Sequence, residues 1–377
     1  MLRGVRGGIL TCALALCALG AAYQVKGNLD LIVGQDESSA VDLRNRDKEH
    51  ALFARGENPF DRMEASQPPW GYPFGLVLTW PAWPAVRAYF AAVNAAALAF
   101  LMWWAYREPR DAPPEVRLLL AGAVFAFGGS CTATEVGQVS IVVTALLAGA
   151  LCCDRAGHPF LSGILVALAM IKPTIAAPFA VALLVAGRYK AVLAAAIYGT
   201  AAAAVTWMTT GASPVHMLQQ LAAGAAKYVD AGTLGVMDLL AAFGVVSSAQ
   251  VALTPLLVSV PAAALMVICK HSLPLTFAVA AVWGRLWTYH KSYDDVMLAL
   301  LLVPLGVIAF STRSRAALVS FAAIGVLTWI PGRLLARADI QMLQLVVWPA
   351  ALVALIIAVR ERPDVASQHL RVEHLHA

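Results

Sequence analysis

The strongest constraint on the fold of this chain is a series of long apolar runs separated by short connections rich in Lys and Arg. A run of about 20 apolar residues makes a helix long enough to cross the hydrocarbon core of a bilayer. Of the 377 residues, 60% are hydrophobic and only 13% are charged, whereas soluble domains carry about 25% charged residues. We therefore expect an integral membrane protein whose solvent is largely lipid.

The apolar runs predict one all-α membrane domain over residues 1–377, a transmembrane helical bundle of about twelve spans. The spans are expected near residues 5–24, 85–106, 117–133, 139–153, 159–171, 173–187, 190–210, 248–269, 273–287, 295–311, 315–331 and 341–359. The first run is also compatible with a signal peptide, but with so many spans behind it we expect an uncleaved first helix.

The basic residues fall on alternate connections, and this pattern sets the orientation because cytoplasmic loops carry an excess of Lys and Arg. Arg3 and Arg6 lie at the start of the first span and are placed on the inside. Arg333 and Arg337 are the exceptions to the pattern, because they fall in a short outer connection. The even-numbered connections contain Arg107, Arg110, Arg117, Arg155, Arg188, Lys190, Lys270, Arg313, Arg315, Arg360 and Arg362. We expect a multi-pass protein of the inner (plasma) membrane. The basic residues that set the orientation account for the net charge of +5. We therefore expect membrane lipids as partners and expect no nucleic acid.

The first outer loop, residues 25–84, is the longest polar stretch. It predicts an outer-face amphipathic helix from Ser39 to Arg55. Ser39 and Asp42 fit a capping box at its start, and Gly56 is suited to end it.

Two further features belong to the outer face. The Pro- and Trp-rich segment 68–73 leads into a second surface helix, expected over residues 74–84 and suited to the membrane interface. A second long outer loop, residues 211–247, carries Asp230.

Under this topology, polar residues from five separate outer connections fall on one face. They are Asp42, Arg44 and Arg46, then Glu135 and Gln138, then Lys172, then Asp230, and finally His290, Lys291, Asp294 and Asp295. An ionisable residue at the bilayer centre costs roughly 2.5–3.5 kcal/mol, so such residues usually serve a function. Cations suit a phosphate, and a carboxylate can take a proton from an attacking hydroxyl. The group predicts a site for a substrate that is both a lipid and phosphorylated.

Each residue also has a structural interpretation. Asp42 can cap a helix, Lys172 can extend its charged end to the interface, and His290 can be an interfacial histidine. Asp294 and Asp295 open a helix, where negative charge suits the helix dipole, so at least one of them is expected to be structural. The joint pattern favours a site more than any single member does.

Several common motifs are absent from the sequence. There is no P-loop, no GxGxxG and no DxD motif, and the six cysteines form no CxxC pair. Glycosyl transfer from a polyprenyl-phosphate sugar needs both a base and phosphate-binding cations but no soluble nucleotide site. We expect no cofactor and no metal, because one base with several cations suffices and ligand spacing is lacking.

Short motifs also occur in order along the chain. They are VDLRNR at 41–46, GENPF at 56–60, PPWGYP at 68–73, GQ at 137–138, IKP at 171–173, RYK at 188–190 and YHKSYDD at 289–295. In this set and order the sequence resembles glycosyltransferase family 87, a group of membrane mannosyltransferase-like enzymes with the GT-C architecture.

The resemblance implies inverting transfer of a sugar, mannose or another hexose or pentose, from a polyprenyl-phosphate donor to a lipid or glycan acceptor. It implies Asp42 as the catalytic base, with His290 and Lys172 near the donor phosphate. The further site residues are Arg46, Gln138, Glu135, Asp294 and Tyr289. Phe60 stands where a Tyr is common and Asp47 where an aromatic residue is often seen, which leaves the acceptor open.

A membrane transporter or lipid flippase is the alternative. Such a protein places ionisable residues near mid-membrane, often in broken helices, with repeat symmetry between its halves. Here the polar residues gather at one face and no repeat is visible, although a transporter would also explain Lys172 followed by Pro173. The sequence therefore favours a glycosyltransferase whose site faces the periplasm or the outside.

Overall fold

The computed structural model describes residues 2–35, 39–227, 236–237, 240, 243–245, 247–288, 290–330 and 338–364. Within these ranges the secondary structure is helical and contains no β-strand, so the predicted all-α class is confirmed. The α-helices are α1 (Leu2–Val33), α2 (Val41–Ala54), α3 (Tyr72–Leu78), α4 (Ala85–Arg107), α5 (Pro114–Phe125), α6 (Gly128–Val136), α7 (Ser140–Arg155), α8 (Pro159–Ala169), α9 (Pro173–Val185), α10 (Tyr189–Thr210), α11 (Pro214–Lys227), α12 (Ser247–Cys269), α13 (Leu273–Leu286), α14 (Ala299–Thr312), α15 (Arg315–Trp329) and α16 (Ala338–Glu361). Short 3₁₀ helices cover Pro59–Asp61, Pro69–Gly71 and Ser292–Leu298.

Five of the described helical stretches are long and apolar enough to cross a membrane. Helices α5 and α6 are bent by 41° relative to each other, and the number is six if this pair forms one span. The five are Arg6–Val33, Ala85–Arg107, Tyr189–Thr210, Ser292–Thr312 and Leu343–Glu361. Shorter apolar helices include α8, α9, α13 and α15. At 1.5 Å per residue, helices of this size reach roughly 16–22 Å, less than the ~30 Å hydrocarbon core. The count of twelve spans therefore stays a prediction.

The distribution of apolar side chains fits a lipid environment. The exposed fraction is 56% for Leu14, 60% for Ile197 and 64% for Val260, each on a long helix. Soluble monomers rarely expose large contiguous apolar surfaces. The stretch Ser292–Thr312 is largely buried inside the bundle. The protein thus has a packed centre and an apolar outer surface, as expected in a membrane.

Three ion pairs connect helix ends that lie together at one end of the bundle. The pairs are Arg6 with Glu115 at 3.3 Å, Arg155 with Glu108 at 2.6 Å and Arg188 with Asp154 at 3.2 Å. They lie at the start of α1 and at the connections α4–α5, α7–α8 and α9–α10, and we call this end the basic face. The opposite ends of α1, α4 and α7 form what we call the site face.

Helix α1 continues to Val33, beyond the end predicted for the first span. An ion pair of 2.6 Å between Lys26 and Asp30, one helical turn apart, favours this extension. Arg87 of α4 then donates to the carbonyl of Gly34 at 2.6 Å, which fixes the end of α1. The first helix is therefore longer than the predicted span 5–24, and the outer loop over residues 25–84 stays a prediction.

The helix predicted in the first outer loop is present as α2, Val41–Ala54, and Gly56 follows it with a φ of 78°. The predicted capping box is wrong. The N-cap position is Ala40, with a φ of 53° and no side-chain hydrogen bond. The Ser39 hydroxyl instead donates to the Asp30 carbonyl on α1, so this end of α2 is held by tertiary contacts.

Polar contacts fix the buried side of α2. The Glu49 carboxylate accepts from the Ser66 amide and hydroxyl, both at 3.0 Å. His50 Nδ1 lies 2.7 Å from the Thr79 hydroxyl, and its Nε2 lies 3.0 Å from Gln67 Oε1. Burial raises the pKa of Glu49 and lowers the pKa of His50 to about 4. His50 is therefore neutral at neutral pH, and its hydrogen bonds connect α2 to Gln67 and Thr79 later in the same loop.

Two more surface helices accompany α2. The predicted helix over 74–84 corresponds to α3, which begins two residues earlier and already ends at Leu78. Helix α11, Pro214–Lys227, occupies the start of the second outer loop. Asp230 lies outside the described residues.

Candidate active site

A carboxylate, an amide and a guanidinium are linked at the start of α2. Asp42 Oδ2 accepts from Gln138 Nε2 at 3.0 Å, and Gln138 Oε1 accepts from Arg46 Nη2 at 2.9 Å. Gln138 Oε1 also accepts from the Val139 amide at 3.0 Å, which fixes the orientation of the side chain. Asp42 Oδ1 has no hydrogen-bond partner among the described residues. That oxygen is available to a bound molecule.

Gly137 makes the close approach of α2 possible. It ends α6 with a φ of 74°, and a Cβ built on it would lie 2.3 Å from Leu43 Cβ. Beside it, the Glu135 carbonyl accepts from the Ala40 amide at 2.9 Å. Backbone contact between the turn after α6 and the start of α2 therefore places Asp42 next to Gln138.

We predict that Gly137→Ala lowers the thermal unfolding midpoint of the detergent-solubilised protein. The left-handed backbone costs an alanine about 1–2 kcal/mol, and the clash with Leu43 adds about 1–3 kcal/mol. Gly157→Ala is the matched control, because Gly157 has a φ of 80° and nothing lies within 4 Å of its Cβ position. Equal losses in the two variants would contradict the close-packing argument.

A second group of polar side chains surrounds Asp294. Lys172 Nζ lies 2.5 Å from Asp294 Oδ1, and the Ser140 hydroxyl donates to the same oxygen at 2.7 Å. His290 Nδ1 lies 2.8 Å from Asp294 Oδ2. The Lys172 ammonium also lies 4.7 Å from the centre of the Tyr293 ring. One buried carboxylate therefore fixes a lysine, a serine and a histidine.

Three separate elements deliver these side chains. Lys172 is the N-cap residue of α9 and Ser140 is the first residue of α7. Asp294 belongs to the 3₁₀ helix Ser292–Leu298. Gly129 of α6 allows this 3₁₀ helix to come close, because a Cβ at that position would lie 2.5 Å from the Ser292 carbonyl oxygen.

The two groups form one site. Gln138 and Ser140 are two residues apart, and Lys172 interacts electrostatically with both Asp42 and Arg46. The site thus contains one carboxylate with a free oxygen, one carboxylate already occupied by cations and hydrogen bonds, and three basic side chains.

Some buried nitrogens of the site lack partners. Arg46 is 7% exposed, and its Nε and Nη1 make no hydrogen bond within the described residues; the same holds for Nε2 of the fully buried His290. Burial lowers the pKa of His290, although its hydrogen bond to Asp294 acts in the opposite direction. Leaving a buried polar group unpaired costs about 1–3 kcal/mol. The two arginine nitrogens can only donate and are therefore suited to bind an external acceptor such as an anion, whereas Nε2 of His290 donates only when the ring is protonated.

The site brings together most of the residues that the sequence singled out. These are Asp42, Arg46, Gln138, Lys172, His290 and Asp294. Glu135 instead lies 3.4 Å from Lys26 of α1, so it links α6 to α1. Tyr289 lies outside the described residues.

Two residues in this region, Ser140 and Arg285, were not singled out from the sequence. Ser140 gives no signal in the sequence, since a serine at a helix start is common. Arg285 does give one, because it is an arginine within the apolar run of α13. It is fully buried, pairs with Asp295 and lies 4.8 Å from the centre of the Trp348 ring. Asp295 therefore belongs to a buried ion pair of its own, next to the group around Asp294.

The structure also contains an apolar cavity. Its volume is about 350 Å³, and it is lined by α8, α9, α10 and Trp70. The Trp70 indole nitrogen donates to the carbonyl of Met170 at 2.9 Å, and both residues line the cavity. Met170 precedes Lys172 by two residues along the chain.

Comparison with curated proteins finds no match, and comparison with solved structures finds none either. The model of a family described as Glycosyltransferase family 87 matches residues 67–294, which is more than half of the 377 residues. The match includes Lys172, His290 and Asp294, whereas Asp42 precedes it. The chain therefore belongs to glycosyltransferase family 87, and the protein is a glycosyltransferase with membrane-spanning helices.

Proposed function

We propose that the protein transfers a sugar from a polyprenyl-phosphate donor to a hydroxyl of a lipid or glycan acceptor, with Asp42 as the general base. The observation that carries the proposal is the arrangement of Asp42, with one free carboxylate oxygen, next to the buried cation Arg46 and the part-buried cation Lys172. An attacking hydroxyl needs a proton acceptor, and a departing phosphate needs positive charge. The site offers both within one cluster.

The proposed chemical step is a single displacement. The acceptor hydroxyl attacks the anomeric carbon, and its proton passes to Asp42 Oδ1. The bond from this carbon to the phosphate oxygen breaks, and its electron pair leaves with the polyprenyl phosphate. Asp294 is already engaged by Lys172 and His290, so a second carboxylate is not free to form a covalent sugar intermediate. A single displacement inverts the anomeric configuration.

The donor phosphate is assigned to the unpartnered nitrogens of the site. Nε and Nη1 of Arg46 can donate to phosphate oxygens. The Asp294 carboxylate can only accept, so His290 donates to it from Nδ1. In the neutral ring, which burial favours, Nε2 accepts instead, so His290 donates to the phosphate only in its protonated form. Asp294 is a positioning residue in this scheme, since it holds Lys172 and His290 toward the anion.

The polyprenyl chain is assigned to the apolar cavity lined by Met170, which precedes Lys172 by two residues. Burial of apolar surface is worth about 25 cal/mol per Å², so an isoprenoid chain is a favourable occupant. In this arrangement the chain leaves the cavity toward lipid while its phosphate reaches the cations. The basic face is then cytoplasmic by the excess of Lys and Arg, and the site face is periplasmic or external in the plasma membrane.

The donor class is tested by incubating membranes that contain the protein with labelled polyprenyl-phosphate sugars. Mannose, other hexoses and pentoses are compared, and label entering lipids or glycans is scored. We expect transfer from at least one polyprenyl-phosphate sugar with inverted anomeric configuration, above the background of membranes carrying Asp42→Asn. The purified protein is assayed in parallel with labelled nucleotide sugars. Transfer by the purified protein from nucleotide sugars alone would overturn the proposal.

A further inference from the structure

A second polar cavity lies on the basic face, away from the proposed active site. It has a volume of about 800 Å³ and is formed by the ends of α4, α5 and α7. Its lining includes Arg107, Arg110, Arg117 and Arg155. We propose that this cavity binds the phosphate headgroup of an anionic phospholipid.

The charge balance of the cavity favours an anion. Its four arginines face two carboxylates, and one of these, Glu108, lies 2.6 Å from Arg155. Arg107, Arg110 and Arg117 form no ion pair with another described residue. The cavity therefore keeps an excess of positive charge that a phosphate would neutralise.

Buried donors in the cavity wall also lack partners. Trp104 is 1% exposed, lines the cavity, and its indole nitrogen makes no hydrogen bond within the described ranges. Nε and Nη2 of Arg155 are likewise buried and unpartnered. An indole nitrogen and a guanidinium can only donate, so the missing partner is an acceptor. Phosphate oxygens supply several acceptors in one small group.

The position of the cavity points to a lipid. It adjoins the end of α4, one of the helices long and apolar enough to cross a membrane. Trp103 is 49% exposed at this end, and the Arg107 guanidinium lies 5.9 Å from the centre of its ring. Trp residues concentrate at the membrane interface, and basic pockets between spanning helices bind anionic headgroups. A lipid bound here would keep its acyl chains along the apolar surface of α4.

The test uses the purified full-length protein in a neutral detergent. Phosphatidylglycerol, phosphatidylcholine and inorganic phosphate are added separately, and the thermal unfolding midpoint and the lipid retained in native mass spectrometry are measured. We expect phosphatidylglycerol to raise the midpoint and to be retained, with phosphatidylcholine and inorganic phosphate giving no comparable shift. Inorganic phosphate acting as strongly as phosphatidylglycerol would overturn the lipid assignment, and no effect of any ligand would overturn the site.

Matched variants distinguish binding of the lipid in this cavity from general electrostatic attraction of the lipid to the basic face. Arg107→Gln combined with Arg110→Gln leaves the pair of Arg155 and Glu108 intact and should weaken phosphatidylglycerol binding about 10-fold or more. The control combines Arg315→Gln with Arg362→Gln, which removes two exposed charges outside the cavity lining. The control should bind as the unmodified protein does. Equal weakening in both double variants would overturn the proposal.

Discussion

Asp42→Asn is expected to reduce the rate of sugar transfer by about 10²–10⁴-fold, the usual contribution of a general base. Asparagine has the same shape as aspartate and keeps an oxygen that can accept from Gln138, so the link to Arg46 should persist. It cannot take the proton of the acceptor hydroxyl. The loss should appear in kcat, with the KM for the donor changed little, because the base acts in the chemical step.

Asp47→Asn provides the control for this result. Asp47 lies on the same helix, and the same chemical change is made outside the hydrogen-bonded group of Asp42, Gln138 and Arg46. Its rate should stay close to that of the unmodified protein. A normal rate in Asp42→Asn, with donor and acceptor both supplied, would rule out Asp42 as the base.

Lys172→Met is expected to destabilise the protein and to raise the KM for the donor. Removing one partner of a buried ion pair costs about 3–5 kcal/mol, because the other charge stays buried. Here the remaining charge is Asp294, whose side chain is 4% exposed. The same substitution removes a cation assigned to the donor phosphate, so stability and binding should both fall.

A double variant separates these two effects. In Lys172→Met with Asp294→Asn no uncompensated carboxylate remains, so much of the lost stability should return while donor binding stays weak. Thermal unfolding and the donor KM are measured for both single variants and the double. Lys26→Met is the control, since Lys26 also pairs on the site face but its side chain is 54% exposed, and exposed pairs contribute about 0–1 kcal/mol. Recovery of donor binding together with stability would show that Lys172 has only a structural role.

The all-α membrane fold could be predicted because apolar runs and basic connections are properties of the chain itself. Helix ends were less predictable. The first helix continues to Val33 because Lys26 and Asp30 pair on its surface and Arg87 binds its end. The number of crossings could not be derived either, since apolar helices as short as α8 do not reveal their path through a bilayer by length alone.

The site residues could be found because ionisable side chains are rare in such a sequence, but their partners could not. Asp42 and Gln138 are 96 positions apart, and Lys172 and Asp294 are 122 positions apart. Local patterns also misled, since Ser39 and Asp42 match a capping box whose serine in fact binds α1. Arg285 carried a signal, as an arginine within an apolar helix, whereas Ser140 carried none.

Gln138 has a consequence for how substrates of different size can be used. Its single amide joins Asp42 to Arg46, and in the proposed mechanism these two side chains mark the points of bond formation and bond cleavage. The oxygen of the acceptor hydroxyl and the oxygen of the departing phosphate are then aligned by the Gln138 side chain, which lies on a short turn, and not by the loops around it. Those loops can change shape to fit another acceptor while the geometry of the exchange stays constant.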